Sequence, residues 1–132
     1  MIPLSVGISL AVLLAILSRV TKFDKDRSYF ATLLIIIATY YVLFAFMSSE
    51  ALITEIVVAS VFSVVALAGA LRWPILLGIG ILLHGVFDYY HGHFINNSGV
   101  PEWWPAFCAG FDIVFGIWVI YLIQIKKVYE AS

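Results

Sequence analysis

Long apolar runs alternate with short polar connections along the whole chain. Each run is close in length to a helix that crosses a hydrocarbon core of about 30 Å, which takes roughly 17–25 residues. The strict alternation of short strands that a membrane barrel needs is absent, so helices are expected. The pattern therefore predicts an all-α bundle of five transmembrane helices in one domain over residues 1–132. The five runs are Ile2–Leu17, Tyr29–Met47, Leu52–Leu71, Trp73–His93 and Pro105–Ile123.

Composition agrees with a membrane location. Of the 132 residues, 64% are hydrophobic and 11% are charged, whereas a soluble domain carries about 25% charged residues. The mean hydropathy is +1.08. These values predict a multi-pass protein of the cell membrane, which is the inner membrane if the source is bacterial. No basic face is present, which excludes nucleic acid as a partner, and the single cysteine excludes an internal disulfide and a cysteine zinc cage.

The positive charges indicate an orientation. Connections rich in Lys and Arg are expected on the cytoplasmic side of a membrane. The connections after the second and fourth runs contain neither residue, whereas those after the first, third and fifth do. The sequence therefore predicts an N-terminus outside and a C-terminus in the cytoplasm. The basic residues in question are Arg19, Lys22, Lys25, Arg27, Arg72, Lys126 and Lys127.

The fourth run carries ionisable side chains deep within its apolar sequence. His84, Asp88 and His91 are spaced i, i+4 and i+7, which places them on one narrow face of a helix. A charged side chain at the centre of a membrane helix costs about 2.5–3.5 kcal/mol on insertion scales. Such groups are therefore expected to face the interior of the bundle, where they satisfy one another or bind a ligand.

Other runs bring further polar groups to a similar depth. Asp112 on the fifth run falls between the depths of His84 and Asp88, and Glu55 lies near the start of the third. Glu55 could instead be an interfacial acid whose carboxylate reaches the headgroups. We expect a polar pocket that opens to the outer side, with a second group of residues around it. That second group consists of Glu55, Tyr40, Tyr41 and Cys108.

The spacing of these residues is compatible with a metal site. His84 and Asp88, at i and i+4, can bind one ion from a single helix, and Asp112 would supply a third ligand. A His–Asp–Asp set with an open position fits catalytic zinc or another divalent metal. A remaining carboxylate or His91 would act as general base, so His84, Asp88, His91 and Asp112 are the candidate catalytic residues. The alternative is a polar network that only holds the helices together.

Two motifs carry a resemblance to known families. The pattern HGxxDxxH over residues 84–91, followed by PxWWPxFCxxxD over residues 101–112, resembles a family of small multi-pass membrane proteins of unknown function. In the kinds of residues present, the chain is also similar to intramembrane hydrolases of the ceramidase and adiponectin-receptor type. Those enzymes hold zinc with histidines and an aspartate among seven helices. Their spacing differs from the one here, so the similarity implies hydrolase chemistry and assigns no residue.

Three functions are compatible with these observations. The first is a metal-dependent hydrolase or lipid-modifying enzyme whose substrate is a membrane lipid. The second is a transporter or channel subunit in which the same residues relay protons or cations. The third is a structural membrane protein with a buried polar network. A homo-oligomer is compatible with each of them.

Overall fold

The computed structural model describes residues 1–129 and confirms the predicted all-α architecture. No strand occurs within that part of the chain. All five long helices have the length and hydropathy needed to cross a membrane, so the chain is a multi-pass membrane protein. A short 3-10 turn, Phe23–Lys25, lies between the first two helices. The helices are α1 (Ile2–Thr21), α2 (Arg27–Ser48), α3 (Leu52–Leu71), α4 (Ile75–Phe94) and α5 (Trp104–Gln124).

Local sequence signals explain where the helices begin and end. The Asp26 carboxylate caps α2 by accepting from the hydroxyl of Ser28 at 2.7 Å and from its N–H at 2.9 Å. These two hydrogen bonds hold the pKa of Asp26 below its usual value. Pro74 directly precedes α4, and Pro105 lies in the first turn of α5, where a missing N–H costs no helical hydrogen bond.

The helix α4 lies at the centre of the bundle and packs against α3 on one side and α5 on the other. The helix α2 packs against α3 and α4, whereas α1 packs against α5. Glycines allow the closest of these contacts: a Cβ built on Gly116 would lie 2.6 Å from the backbone nitrogen of Leu82. On α1, Gly7 lies directly against the backbone of Phe107. Both α1 and α5 therefore begin at the same end of the bundle.

Apolar side chains cover the outside of the bundle as well as its centre. On α3, Val57, Val61 and Val64 are 56%, 58% and 65% exposed, as expected for residues that face lipid. A fully buried apolar layer fills the interior on the side where α4 begins. It consists of Phe30, Leu34, Leu77, Ile81 and Phe115.

The two ends of the bundle differ in character. The loop end carries the α2–α3 turn (residues 49–51) and the α4–α5 loop (residues 95–103). The basic end carries the α1–α2 connection, where Arg19 forms an ion pair of 2.7 Å with the buried Asp24. The Tyr129 hydroxyl donates to the backbone oxygen of Asp24 at 2.8 Å, so the segment after α5 contacts the α1–α2 connection.

Candidate functional site

Three of the predicted site residues meet at the interface between α4 and α5. His84 and Asp88 project from successive turns of α4, and Asp112 projects from α5. The Nδ1–H of His84 donates to Oδ2 of Asp112 at 2.9 Å, and Oδ2 of Asp88 lies 3.3 Å from the same nitrogen. All three side chains are at most 1% exposed. We call these residues the His84 cluster.

The His84 cluster contains buried polar atoms that lack hydrogen-bond partners. Within residues 1–129, neither carboxylate oxygen of Asp88 has a hydrogen-bond partner, and Nε2 of His84 has none either. The buried hydroxyl of Tyr41 also lacks one, although it interacts electrostatically with Asp88. Buried polar groups are nearly always paired, so each of these atoms is energetically costly unless something else binds it.

Aromatic rings surround the imidazole of His84. The ring of Phe62 meets it edge-on at 4.7 Å between centroids, and those of Phe87 and Tyr41 lie at 5.7 Å and 6.2 Å. These rings exclude water and lower the local dielectric constant, which strengthens every electrostatic interaction within the cluster. The imidazole is therefore fixed in direction, with Nδ1 facing the two aspartates.

The close approach of α4 and α5 depends on Gly85. A Cβ at this position would lie 2.9 Å from the Cβ of Asp112 and 3.0 Å from the backbone nitrogen of Ile113. Any larger residue would separate the helices at the level where Asp112 meets His84. The glycine that follows His84 in the HGxxDxxH pattern is thus part of the site, and sequence reasoning did not assign it this role.

Glu55, His91 and Asn97 form a second buried group, which we call the Glu55 network. The Nε2–H of His91 faces both carboxylate oxygens of Glu55, each at 3.0 Å. The side-chain amide of Asn97 donates to Oε2 of Glu55 at 3.0 Å and to the backbone oxygen of Tyr41 at 3.3 Å. Glu55 is 1% exposed, so the alternative of an interfacial acid that reaches the headgroups is wrong.

The Glu55 network also joins the two connections at the loop end. The Asn97 side-chain oxygen accepts from the hydroxyl of Ser48 at 3.0 Å and from the N–H of Gly99 at 3.1 Å. Glu50 accepts from the N–H of Ser98 at 2.9 Å. Sequence reasoning missed this role of Asn97, whose signal is a short polar amide in a turn-forming segment, NNSG, that begins after Ile95, the C-cap of α4.

Tyr41 connects the two buried groups. Its ring stacks on the imidazole of His91 with 4.0 Å between centroids and 12° between planes. Its hydroxyl, by contrast, lies on the side of Asp88. Of the four candidate catalytic residues, His84, Asp88 and Asp112 therefore come together, whereas His91 is held by Glu55.

The remaining predicted residues lie along a groove rather than around an open polar pocket. Tyr40, Cys108 and Asp112 line an apolar groove of about 350 Å³ between α1, α2 and α5. The polar pocket that we expected to open to the outer side is closed in this structure, because His84, Asp88 and His91 are at most 2% exposed. Only Asp112 belongs both to the His84 cluster and to the groove.

The donor set of the His84 cluster fits a divalent metal ion. One ligand atom from each of His84, Asp88 and Asp112 lies within 4.8 Å of the others. In a tetrahedral zinc site with bonds of 2.0–2.2 Å, ligand atoms are about 3.4 Å apart. The separations of His84 Nδ1 from the two carboxylates are 2.9 Å and 3.3 Å, and all three ligand atoms lie within 4.8 Å of one another. A metal ion bound at Nδ1 would replace the proton there, and the neutral ring would then carry its proton on Nε2. The three residues could therefore hold a metal ion.

Comparisons with known proteins give a family and no activity. No curated protein and no solved structure matches the chain significantly. The likeness to intramembrane hydrolases of the ceramidase type is not tested by these comparisons and stays a prediction. One family model, described as a family of unknown function (DUF6010), matches residues 2–125. The match covers nearly the whole chain and confirms the resemblance to small membrane proteins of unknown function, so the chain belongs to the DUF6010 family.

Proposed function

We propose that this protein is a membrane-embedded, metal-dependent enzyme whose metal ion is held by His84, Asp88 and Asp112. The observation that carries the proposal is the convergence of three ligand atoms within 4.8 Å, together with the unpartnered carboxylate of Asp88. A bound cation would satisfy those oxygens. His91 is assigned a positioning role, because its contact with Glu55 fixes α4 against α3.

Charge balance supports a divalent ion. With His84 neutral and both aspartates ionised, the cluster would carry two negative charges on side chains that are at most 1% exposed. An uncompensated charge at such depth is strongly unfavourable. Either two protons or one divalent cation would neutralise the cluster, and the cation also fits the convergent geometry. Proton release on metal binding would follow from the same balance.

Zinc is the metal proposed, and hydrolysis is the reaction. Zinc accepts histidine nitrogen and carboxylate oxygen ligands, and with three protein ligands it leaves one position for water, whose pKa it lowers toward about 7. The chain's own residues would orient this chemistry: Asp112 contacts His84 and is among the residues that line the groove, and the Tyr41 hydroxyl is available to donate a hydrogen bond. The apolar surroundings make a membrane lipid the proposed substrate.

A proton or cation relay is the second candidate, because α4 presents His84, Asp88 and His91 along one buried face. A relay across the membrane would need polar groups to continue toward the basic end. The apolar layer occupies that position, with Phe30, Ile81 and Phe115 fully buried. This layer favours the enzyme over the relay.

The metal content of purified protein tests the proposal. Wild-type protein is expected to carry about one zinc per chain after reconstitution, and Asp88→Asn is expected to lose it while its helical circular dichroism is retained. Glu50→Gln is the matched control and should keep the metal, because the Glu50 carboxylate accepts from the N–H of Ser98 at the loop end and is not part of the His84 cluster. A wild type that takes up no zinc, manganese, iron or cobalt would contradict the proposal.

The orientation belongs to the proposal and is tested separately. With the N-terminus outside, the loop end and the groove beside Asp112 face the outer leaflet. In a Cys108→Ser background, Asn96→Cys should react with a membrane-impermeant thiol reagent from outside, and Lys25→Cys should react only after permeabilisation. Both positions are exposed. The reverse labelling pattern would place the groove in the cytoplasmic leaflet.

A further inference from the structure

Aromatic contacts join α2 and α5 at two levels and leave a groove between them. At the loop end, the rings of Tyr40 and Trp104 lie 5.0 Å apart. Nearer the basic end, the rings of Phe30 and Phe115 lie 6.0 Å apart. Between these levels the groove opens toward the side of the bundle, where a lipid bilayer would lie. Its apolar walls include Leu10, Leu33, Ile36, Phe107 and Phe111.

The dimensions of the groove fit one hydrocarbon chain. Asp112 follows Trp104 by eight residues, which is about 12 Å along a helix. The volume is about 350 Å³. If a methylene group occupies about the same volume as a water molecule in the liquid, about 30 Å³, this space holds roughly 12 such groups.

The chemistry of the walls indicates the kind of lipid. None of the ten described residues that line the groove is a lysine, an arginine or a histidine, so nothing there would balance a phosphate group. The indole N–H of Trp104 is buried and has no hydrogen-bond partner within residues 1–129. A buried donor of this kind is stabilised by an acceptor oxygen, such as a carbonyl or a hydroxyl group.

We propose that this groove is the lateral opening through which the site receives its substrate, and that the substrate is an uncharged lipid with a single hydrocarbon chain. The oxygen of the lipid meets the Trp104 N–H at the mouth, and the chain runs toward Asp112, where the groove meets the His84 cluster. The role of this lipid as substrate rests on the proposed function, whereas its binding in the groove does not.

Photo-crosslinking tests the binding directly. The probe is a monoacylglycerol with a diazirine in a chain of roughly 12 carbons, the length that the volume allows. Wild-type protein in lipid nanodiscs should be labelled saturably, as measured by intact-protein mass spectrometry. An excess of unlabelled monoacylglycerol should displace the probe, whereas lysophosphatidic acid of the same chain length should compete about tenfold less well, because its phosphate finds no cation.

Two variants locate the site within the bundle. Ile36→Trp places a large side chain in the groove and should lower saturable labelling by about tenfold. Ile117→Trp is the matched control: Ile117 is 55% exposed, close to the 47% of Ile36, and does not line the groove. Trp104→Phe retains an aromatic ring but removes the donor, and should weaken binding of the monoacylglycerol by about threefold to tenfold.

The outcomes separate this inference from the proposed function. Asp88 does not line the groove, so Asp88→Asn should lose the metal and retain saturable labelling. Saturable labelling of a wild type that binds no metal would support the groove and contradict the enzyme. Unsaturable labelling of a metal-loaded wild type would overturn the inference, and so would labelling of Ile36→Trp equal to that of the wild type.

Discussion

The His84 cluster and the Glu55 network lie on the same buried face of α4 but differ in how completely their polar atoms are paired. In the Glu55 network, both carboxylate oxygens accept hydrogen bonds, and Asn97 uses its amide nitrogen and its oxygen. In the His84 cluster, two carboxylates surround one ring nitrogen, and Asp88 completes no hydrogen bond within the described residues.

This difference distinguishes buried residues that hold the bundle together from buried residues that are available to bind a ligand. A fully paired buried network contributes to stability and fixes the helices that it joins. An incompletely paired one costs free energy, and proteins retain such groups at functional sites. The Glu55 network therefore acts as the structural connection between α3, α4 and the loop end, and the His84 cluster as the candidate site.

The largest expected effect comes from breaking the Glu55 network. Glu55→Ala leaves the Nε2–H of His91 and the amide of Asn97 without their carboxylate. Removing one member of a buried pair costs about 3–5 kcal/mol. We expect a loss of that size in the free energy of unfolding, measured by denaturant titration in detergent micelles.

Glu50→Ala is the control for this change. Glu50 lies in the α2–α3 turn, five residues before Glu55, and its carboxylate accepts one exposed hydrogen bond, from Ser98, so its loss should cost about 1 kcal/mol or less. If Glu55→Ala were no more destabilising than Glu50→Ala, the Glu55 network would not have the structural role that its pairing indicates.

A second change acts on the His84 cluster through its packing. Gly85→Leu places a side chain where even a Cβ would lie 2.9 Å from Asp112, and such overpacking costs about 1–3 kcal/mol. Separation of α4 and α5 should also abolish metal binding. Gly92 lies on the same helix with nothing within 4 Å of a built Cβ, so Gly92→Leu should change neither stability nor metal content. Metal retained in a stable Gly85→Leu would contradict the role of this close approach.

A third change, Asp88→Asn, should not destabilise the metal-free protein, in contrast to the two changes above. Asp88 is buried and completes no hydrogen bond, so Asp88→Asn removes a buried charge and weakens only the 3.3 Å contact with Nδ1 of His84, which Asp112 still contacts. In chelator-treated protein, its free energy of unfolding should be unchanged or higher by up to about 2 kcal/mol. Zinc should then raise the melting temperature of the wild type and leave that of Asp88→Asn unchanged. If chelator-treated Asp88→Asn were destabilised as much as Glu55→Ala, the His84 cluster would have a structural role as well.

The sequence was sufficient to predict the helices and part of the cluster. Apolar runs of membrane-spanning length define the helices because lipid leaves few alternatives to them. The i, i+4 spacing of His84 and Asp88, together with the depth of Asp112, predicted the group that the structure brings together. Depth and helical face follow from counting residues, so these features depend on local sequence alone.

Features that depend on lateral packing could not be predicted in the same way. Hydropathy gives no order of helices around a bundle, so the packing of α1 on α5 and the resulting groove beside Asp112 had no signal. Asn97 reaches Glu55 across 42 positions of sequence, and only the folded chain shows that contact. The closure of the expected polar pocket, in which His84, Asp88 and His91 are at most 2% exposed, is also visible only in the folded chain.

The smallest expected effect on stability comes from Tyr41, which belongs to both groups. Tyr41→Phe retains the ring that stacks on His91 at 4.0 Å and removes a buried hydroxyl without a hydrogen-bond partner. Since an unpaired buried hydroxyl is unfavourable, the free energy of unfolding should change by no more than about 1 kcal/mol, toward higher stability.

If the hydroxyl of Tyr41 supports Asp88 as a metal ligand, the zinc affinity of Tyr41→Phe should fall by about tenfold or more, as measured by competition with a chromophoric chelator. Phe44→Leu alters a ring that contacts Tyr41 and Trp104 and leaves the Tyr41 hydroxyl in place, so it should leave that affinity unchanged. Unaltered zinc affinity in Tyr41→Phe would assign Tyr41 wholly to the Glu55 network and make the division between the two buried groups complete.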